Sequence, residues 1–135
     1  MLEDVKINVK IKLSALWAAV MFCYAYADIL AHMRKDILED FLAGEAGGMQ
    51  ITQEVLFGSA ILQVIPTIMI FLSLTLKAKA NRWVNIILGI FYAVVAFATM
   101  TTTGGWVYYY VFAITEVVLT ALIAWFAWKW PKQEG

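Results

Sequence analysis

Four long apolar runs are separated by short clusters of charge. They lie at about 13–33, 55–76, 83–103 and 106–128. Each is about 20 residues, the length an α-helix needs to cross a hydrocarbon core of ~30 Å. In lipid the backbone must satisfy its own hydrogen bonds, which favours helices or closed barrels. The strict apolar/polar alternation of a barrel strand is absent, so the pattern predicts an all-α integral membrane four-helix bundle in a single domain.

The first run follows Lys6, Lys10 and Lys12, and Ala25-Tyr26-Ala27 has the small-x-small form of a signal-cleavage site. Its apolar stretch exceeds the ~7–15 residues of a signal core, so it reads as a true span. Between spans 1 and 2, Ile37, Leu38, Phe41 and Leu42 recur at helical spacing opposite charged residues. That spacing fits a short interfacial helix and fits a plain amphipathic linker equally well. Gly44, Gly47 and Gly48 then break the pattern.

Charge gives the spans a direction. Lys6, Lys10, Lys12, Lys77, Lys79, Arg82, Lys129 and Lys132 all fall on one side. On the other side Arg34 and Lys35 are outweighed by Asp36, Glu39, Asp40 and Glu45. Basic residues mark the cytoplasmic face, so the expected orientation is N-in and C-in. Trp106 and Tyr108–Tyr110 would form the outer aromatic belt; Trp83, Trp125, Trp128 and Trp130 would form the inner one.

Composition reinforces the membrane reading: 63% of residues are hydrophobic and 15% charged, against about 45–50% and about 25% in soluble domains. Ten basic residues balance ten acidic ones, leaving no excess for nucleic-acid phosphates. One cysteine, Cys23, rules out an intrachain disulfide and a cysteine-based metal cluster. With His32 as the single histidine, no metal site or Ser-His-Asp arrangement is expected, and no cofactor motif is present.

The chemistry lies in polar positions within the spans. Asp28 and Glu116 are intramembrane acids, Gln63 is the third strongly polar residue, and acids at depth normally face a bundle interior. At ~1.5 Å per residue, Glu116 sits roughly 15 Å below the outer surface, Gln63 roughly 12–15 Å and Asp28 about 8 Å. Helical phase joins Trp17, Met21, Tyr24, Asp28 and Ala31 in span 1; Ser59, Gln63, Pro66, Thr67 and Ser73 belong to span 2. Span 3 contributes Asn85, Gly89, Tyr92, Ala96, Thr99 and Thr103; span 4 contributes Tyr109, Phe112, Glu116 and Thr120. Pro66 frees a backbone carbonyl beside Gln63 and can kink span 2.

The segments Tyr26-Ala27-Asp28-Ile29-Leu30, Ala60-Ile61-Leu62-Gln63-Val64-Ile65-Pro66 and Lys79-Ala80-Asn81-Arg82-Trp83-Val84-Asn85-Ile86-Ile87 resemble a bacterial family of small four-span membrane proteins of unknown function. The resemblance covers most of the chain and implies a bacterial inner (plasma) membrane location. At position 63 the family pattern commonly has Glu before Ile-Pro, so Gln63 is a departure that removes a charge from span 2. A fainter similarity, carried by Asp28 and Leu62-Gln63-Val64-Ile65-Pro66, is to the emopamil-binding-protein group. It implies an acid-lined site for a hydrophobic amine or sterol-like molecule.

Three functions follow from these positions. The leading one is binding or transport of a small hydrophobic or cationic ligand, with Asp28 and Glu116 as charge partners and Gln63, Tyr24 and Tyr92 as hydrogen-bonding or aromatic walls. The second is an isomerase-like enzyme using the paired acids, which requires both acids to reach one substrate. In the third, the polar residues only bind helix to helix. Gly89 and Ala93 also supply a small-xxx-small spacing suited to a homo-oligomer.

Overall fold

The computed structural model describes residues 1–102 and 105–131. Thr103 of the third stripe, the uncharged turn at Gly104 and Lys132 of the basic tail lie outside the described residues. Five helices and one small hairpin follow in order: α1 (Val9–Ala31), α2 (Lys35–Leu42), β1 (Glu45–Ala46), β2 (Met49–Gln50), α3 (Gln53–Thr75), α4 (Ala78–Thr102) and α5 (Val107–Trp128). Helices α1, α3, α4 and α5 are each long and apolar enough to cross a membrane.

Helices α1, α3 and α4 begin before their apolar runs do, and for α1 and α3 a cap rather than hydropathy sets the start. Asn8 accepts a hydrogen bond from the Lys10 amide at 2.8 Å and opens α1, four residues ahead of the apolar boundary at Leu13. Thr52 does the same for α3 through the Val55 amide at 3.2 Å. Helix α4 begins at Ala78, so Lys79, Asn81 and Arg82 are helical residues rather than loop residues.

The segment Lys35–Leu42 is a helix. Beyond it Gly47 and Gly48, both at positive φ (58° and 80°), turn a two-residue hairpin pairing Glu45 with Gln50 and Ala46 with Met49. Positive φ at both central positions is the hallmark of the tight turn that matches strand twist. Strands this short carry no alternation, so the sequence showed a helix breaker without showing the hairpin.

In the bundle α4 lies along α5, and α1 packs against both α3 and α5. The backbones of α3 and α4 come close at few points, and side chains bridge the space between them. The order around the bundle is therefore α3, α1, α5, α4. The dense core lies toward the end that holds the termini: Leu13, Trp17, Val20, Met69, Ile123 and Ala127 are almost fully buried. Large apolar side chains such as Phe22, Phe57, Phe71, Val94, Phe97 and Val111 face outward, as lipid contact requires.

Gly89 shows why α4 and α5 approach so closely. A Cβ there would stand 3.0 Å from the Thr120 carbonyl oxygen and 3.0 Å from the Ala124 amide nitrogen. Gly89 thus faces α5 and lets the two helix backbones meet.

Candidate functional site

The polar residues divide into two groups at opposite ends of the bundle. At the terminal end, the Trp17 indole donates to Asn85 Oδ1 at 2.7 Å, and Ser73 Oγ donates to the same oxygen at 3.4 Å. Asn85 Nδ2 donates to Asn81 Oδ1 at 2.6 Å and to the Asn81 carbonyl at 2.9 Å. Asn81 Nδ2 closes the network on the carbonyls of Ser73 (2.7 Å) and Leu76 (3.3 Å). The Ser73 carbonyl belongs to the last turn of α3, where carbonyls lack helical partners, so Asn81 acts as its cap. This network joins α1, α3 and α4, and its members are buried.

A second tie joins α3 and α4. Pro66 has no N–H, so the carbonyl four residues earlier, at Leu62, loses its helical donor. The Tyr92 hydroxyl donates to that carbonyl at 2.6 Å. Tyr92 also packs edge-on against Trp17, with ring centroids 5.9 Å apart, and tilted against Tyr24 at 6.4 Å. Its hydroxyl is committed to α3 and its ring forms a wall behind Tyr24.

Toward the other end, where α1 leads into α2, lies a cavity of about 130 Å³. Tyr24, Ala27 and Asp28 line it from α1, Gln63 from α3, Val95, Ala96 and Thr99 from α4, and Tyr109, Phe112, Ala113 and Glu116 from α5. Asp28 and Glu116, far apart in sequence, therefore converge. Glu116 is buried while Asp28 is exposed on the α3 side, where Gln63 Nε2 donates to its Oδ2 at 3.4 Å. The Tyr24 hydroxyl is the one buried side-chain polar atom without a hydrogen-bond partner among the described residues. Of the five residues singled out from sequence, four line the cavity and Tyr92 stands behind it. Ala27, Val95 and Ala113 also line it, and no sequence signal distinguished them from other small or apolar span residues.

A second hollow of about 410 Å³ lies above, lined by Arg34, Asp36, Asp40, Phe41, Gly47 and others. It shares Thr99 and Tyr109 with the cavity, so the two adjoin. Arg34 organises its rim. The guanidinium grips Asp36 through Nε to Oδ1 at 3.2 Å and Nη2 to Oδ2 at 2.7 Å, and lies 4.2 Å from the Trp106 ring centroid. These hydrogen bonds hold the Asp36 carboxyl below its ordinary range and raise the guanidinium above its own. His32, with its Nδ1 2.6 Å from the Asp28 carbonyl oxygen, stacks near Phe41 of α2 at 5.1 Å. Among the described residues no group of three His, Cys, Asp or Glu side chains is placed to hold a metal.

The fold and site define a class: a helical protein of four membrane-length helices enclosing an acid-lined cavity, the architecture of an integral membrane protein. The chain belongs to a family of unknown function (DUF6326), whose model matches residues 3–135. No curated protein and no solved structure is significantly similar to it.

Proposed function

We propose that the protein binds a small organic cation within the membrane, in the cavity between Asp28 and Glu116. The observation that carries this reading is the meeting of two acids from different helices with the rings of Tyr24, Tyr109 and Phe112 on one small cavity. Carboxylates attract a cation, and aromatic faces attract it further once water is excluded. The Tyr24 hydroxyl adds an uncommitted polar group. Size narrows the class. At about 130 Å³ the cavity is close to the roughly 150 Å³ that accommodates benzene. It is below the ~300 Å³ at which drug-sized pockets begin. That favours a compact ammonium over a sterol-like molecule. Its continuation toward the α2 end and the dense core on its other side favour binding over passage through the bundle.

The setting we infer is a bacterial plasma membrane with both termini in the cytoplasm. The clustering of basic residues at the terminal end supports this direction. Helix α2, with charged and apolar faces, then lies along the outer interface over the adjoining hollow. A C-terminal reporter active only in the cytoplasm should be active; a silent reporter on inserted protein overturns the orientation.

Calorimetric titration of the purified full-length protein with methylammonium through tetramethylammonium tests the binding reading. Saturable binding is expected, weakened roughly tenfold or more, about 1.4 kcal/mol, in Asp28→Asn and in Glu116→Gln. Folded protein that takes up none of these cations returns the acids to a purely structural role.

A further inference from the structure

We infer that the outer surface of α4 and α5 carries a second site, separate from the cavity, for one anionic phospholipid. Two features meet there. One is an apolar groove of about 420 Å³ lined by Ile86, Gly89, Ala93, Ala121, Ala124 and Trp125, among others. The other is a basic hollow of about 280 Å³ at its terminal end, containing Lys79 and Arg82. Trp128 lines both, so they adjoin.

Helical phase makes this one face. Lys79, Arg82, Ile86, Gly89 and Ala93 follow at steps of three or four residues along α4, which aligns their side-chain directions. From Arg82 to Ala93 the helix rises about 16 Å, roughly half of a ~30 Å hydrocarbon core. The groove is therefore one leaflet deep, with its charge at the leaflet's surface. An acyl chain fits the apolar part and a headgroup phosphate falls at the basic part.

The charges there are poised for an anion. Among the described residues the ion pairs are Arg34–Asp36 and Lys35–Glu39, both near α2, so neither Lys79 nor Arg82 has a carboxylate partner. Arg82 is held in place: Nε donates to the Ala127 carbonyl at 3.2 Å and Nη2 to the Trp128 carbonyl at 3.3 Å. Its guanidinium lies 5.1 Å from the Trp83 ring centroid and 5.3 Å from that of Trp128. One edge of the fork is thus anchored to the end of α5, and Nη1 makes no protein hydrogen bond among the described residues. A preorganised guanidinium with donors to spare suits phosphate. Basic hollows beside membrane helices are a general means of lipid headgroup recognition. Lys129, 4.8 Å from the Trp125 ring, adds positive charge beside the groove.

Native mass spectrometry of the full-length protein tests the site, using phosphatidylglycerol and phosphatidylcholine of identical acyl chains. Phosphatidylglycerol should be retained in preference, and Lys79→Gln and Arg82→Gln should each reduce that preference roughly fivefold. Ala121→Leu, at an exposed groove position, should weaken retention of the bound lipid by filling the acyl channel. Lys79 is exposed, so Lys79→Gln and Ala121→Leu keep the test decisive if Arg82→Gln fails to fold. Equal retention of the two lipids overturns the site. So does a preference unchanged in Lys79→Gln together with retention unchanged in Ala121→Leu, because that would place the lipid elsewhere on the basic end.

Discussion

The two ends of the bundle use similar polar residues to opposite effect. At the terminal end, both amide groups of Asn81 and Asn85 have partners, the Trp17 indole is satisfied and the surroundings are packed. At the other end Glu116 is buried beside a cavity and the Tyr24 hydroxyl has no hydrogen-bond partner among the described residues. A buried polar group costs free energy when its partner is missing. A fully paired network therefore stabilises a fold, while an incompletely paired cluster is better suited to receive something else. Polarity within a span is thus insufficient to mark a site; the completeness of its pairing separates glue from binding surface.

This contrast can be broken experimentally, and the largest effect should come from the paired end. Asn85→Ala strands the Trp17 indole and Asn81 Oδ1, and should cost about 2–3 kcal/mol of stability. Thermal or denaturant unfolding in detergent would measure it, while cation binding by the surviving folded fraction should persist. Glu116→Gln should show the reverse: roughly tenfold weaker ammonium binding with little loss of unfolding temperature. If both substitutions mainly unfold the protein, the distinction between the ends fails.

Two tyrosines give a finer comparison. Tyr92→Phe removes the donor to the Leu62 carbonyl and should destabilise by about 0.6–1 kcal/mol, the usual scale inside membrane proteins. Tyr24→Phe removes an unpaired hydroxyl and should be neutral or mildly stabilising. Restoring an amide with Pro66→Ala should shrink the Tyr92→Phe penalty, because the backbone then supplies the missing donor. A double-mutant cycle reads that coupling directly; a strictly additive cycle would show that Tyr92 does not serve the proline break.

The smallest effect concerns the rim. The Asp36 carboxyl is held below its ordinary range by the Arg34 hydrogen bonds. Its contribution is present above the unfolded-state value and disappears as pH falls through the lower folded-state value. Amide exchange of α2, corrected for its intrinsic pH dependence, should therefore be flat near neutrality and show loosening only below about pH 4. Loosening already near pH 6 would show that the Arg34–Asp36 pair does not set the pH response of α2.

Much of this was legible from the chain because lipid imposes strict patterning. Apolar runs revealed four helices, and phase brought Tyr24, Asp28, Gln63 and Glu116 to one interior. What phase could not supply was the pairing of each polar group. Asn81 looked like a loop residue because the apolar run starts after the helix does; its side chain reaches back to cap α3. Tyr92 looked like a pocket wall until the Leu62 carbonyl, orphaned by Pro66, was seen to claim its hydroxyl. Gly89 carried a small-residue spacing in the sequence, and the distances to Thr120 and Ala124 show that its own α5 fills the place of a side chain there. The cavity itself is a space left between four helices, which no single stretch of residues encodes.

The separation of charge along the bundle has one more consequence. Basic residues gather at the terminal end, and the ion pairs Arg34–Asp36 and Lys35–Glu39 sit in the acidic connection without offsetting them. A chain of zero net charge is thereby a large electric dipole along its helix axes. Across an energised membrane each charge is worth about 2.3 kcal/mol per 100 mV, so in the orientation proposed above the resting voltage itself would help keep the molecule upright.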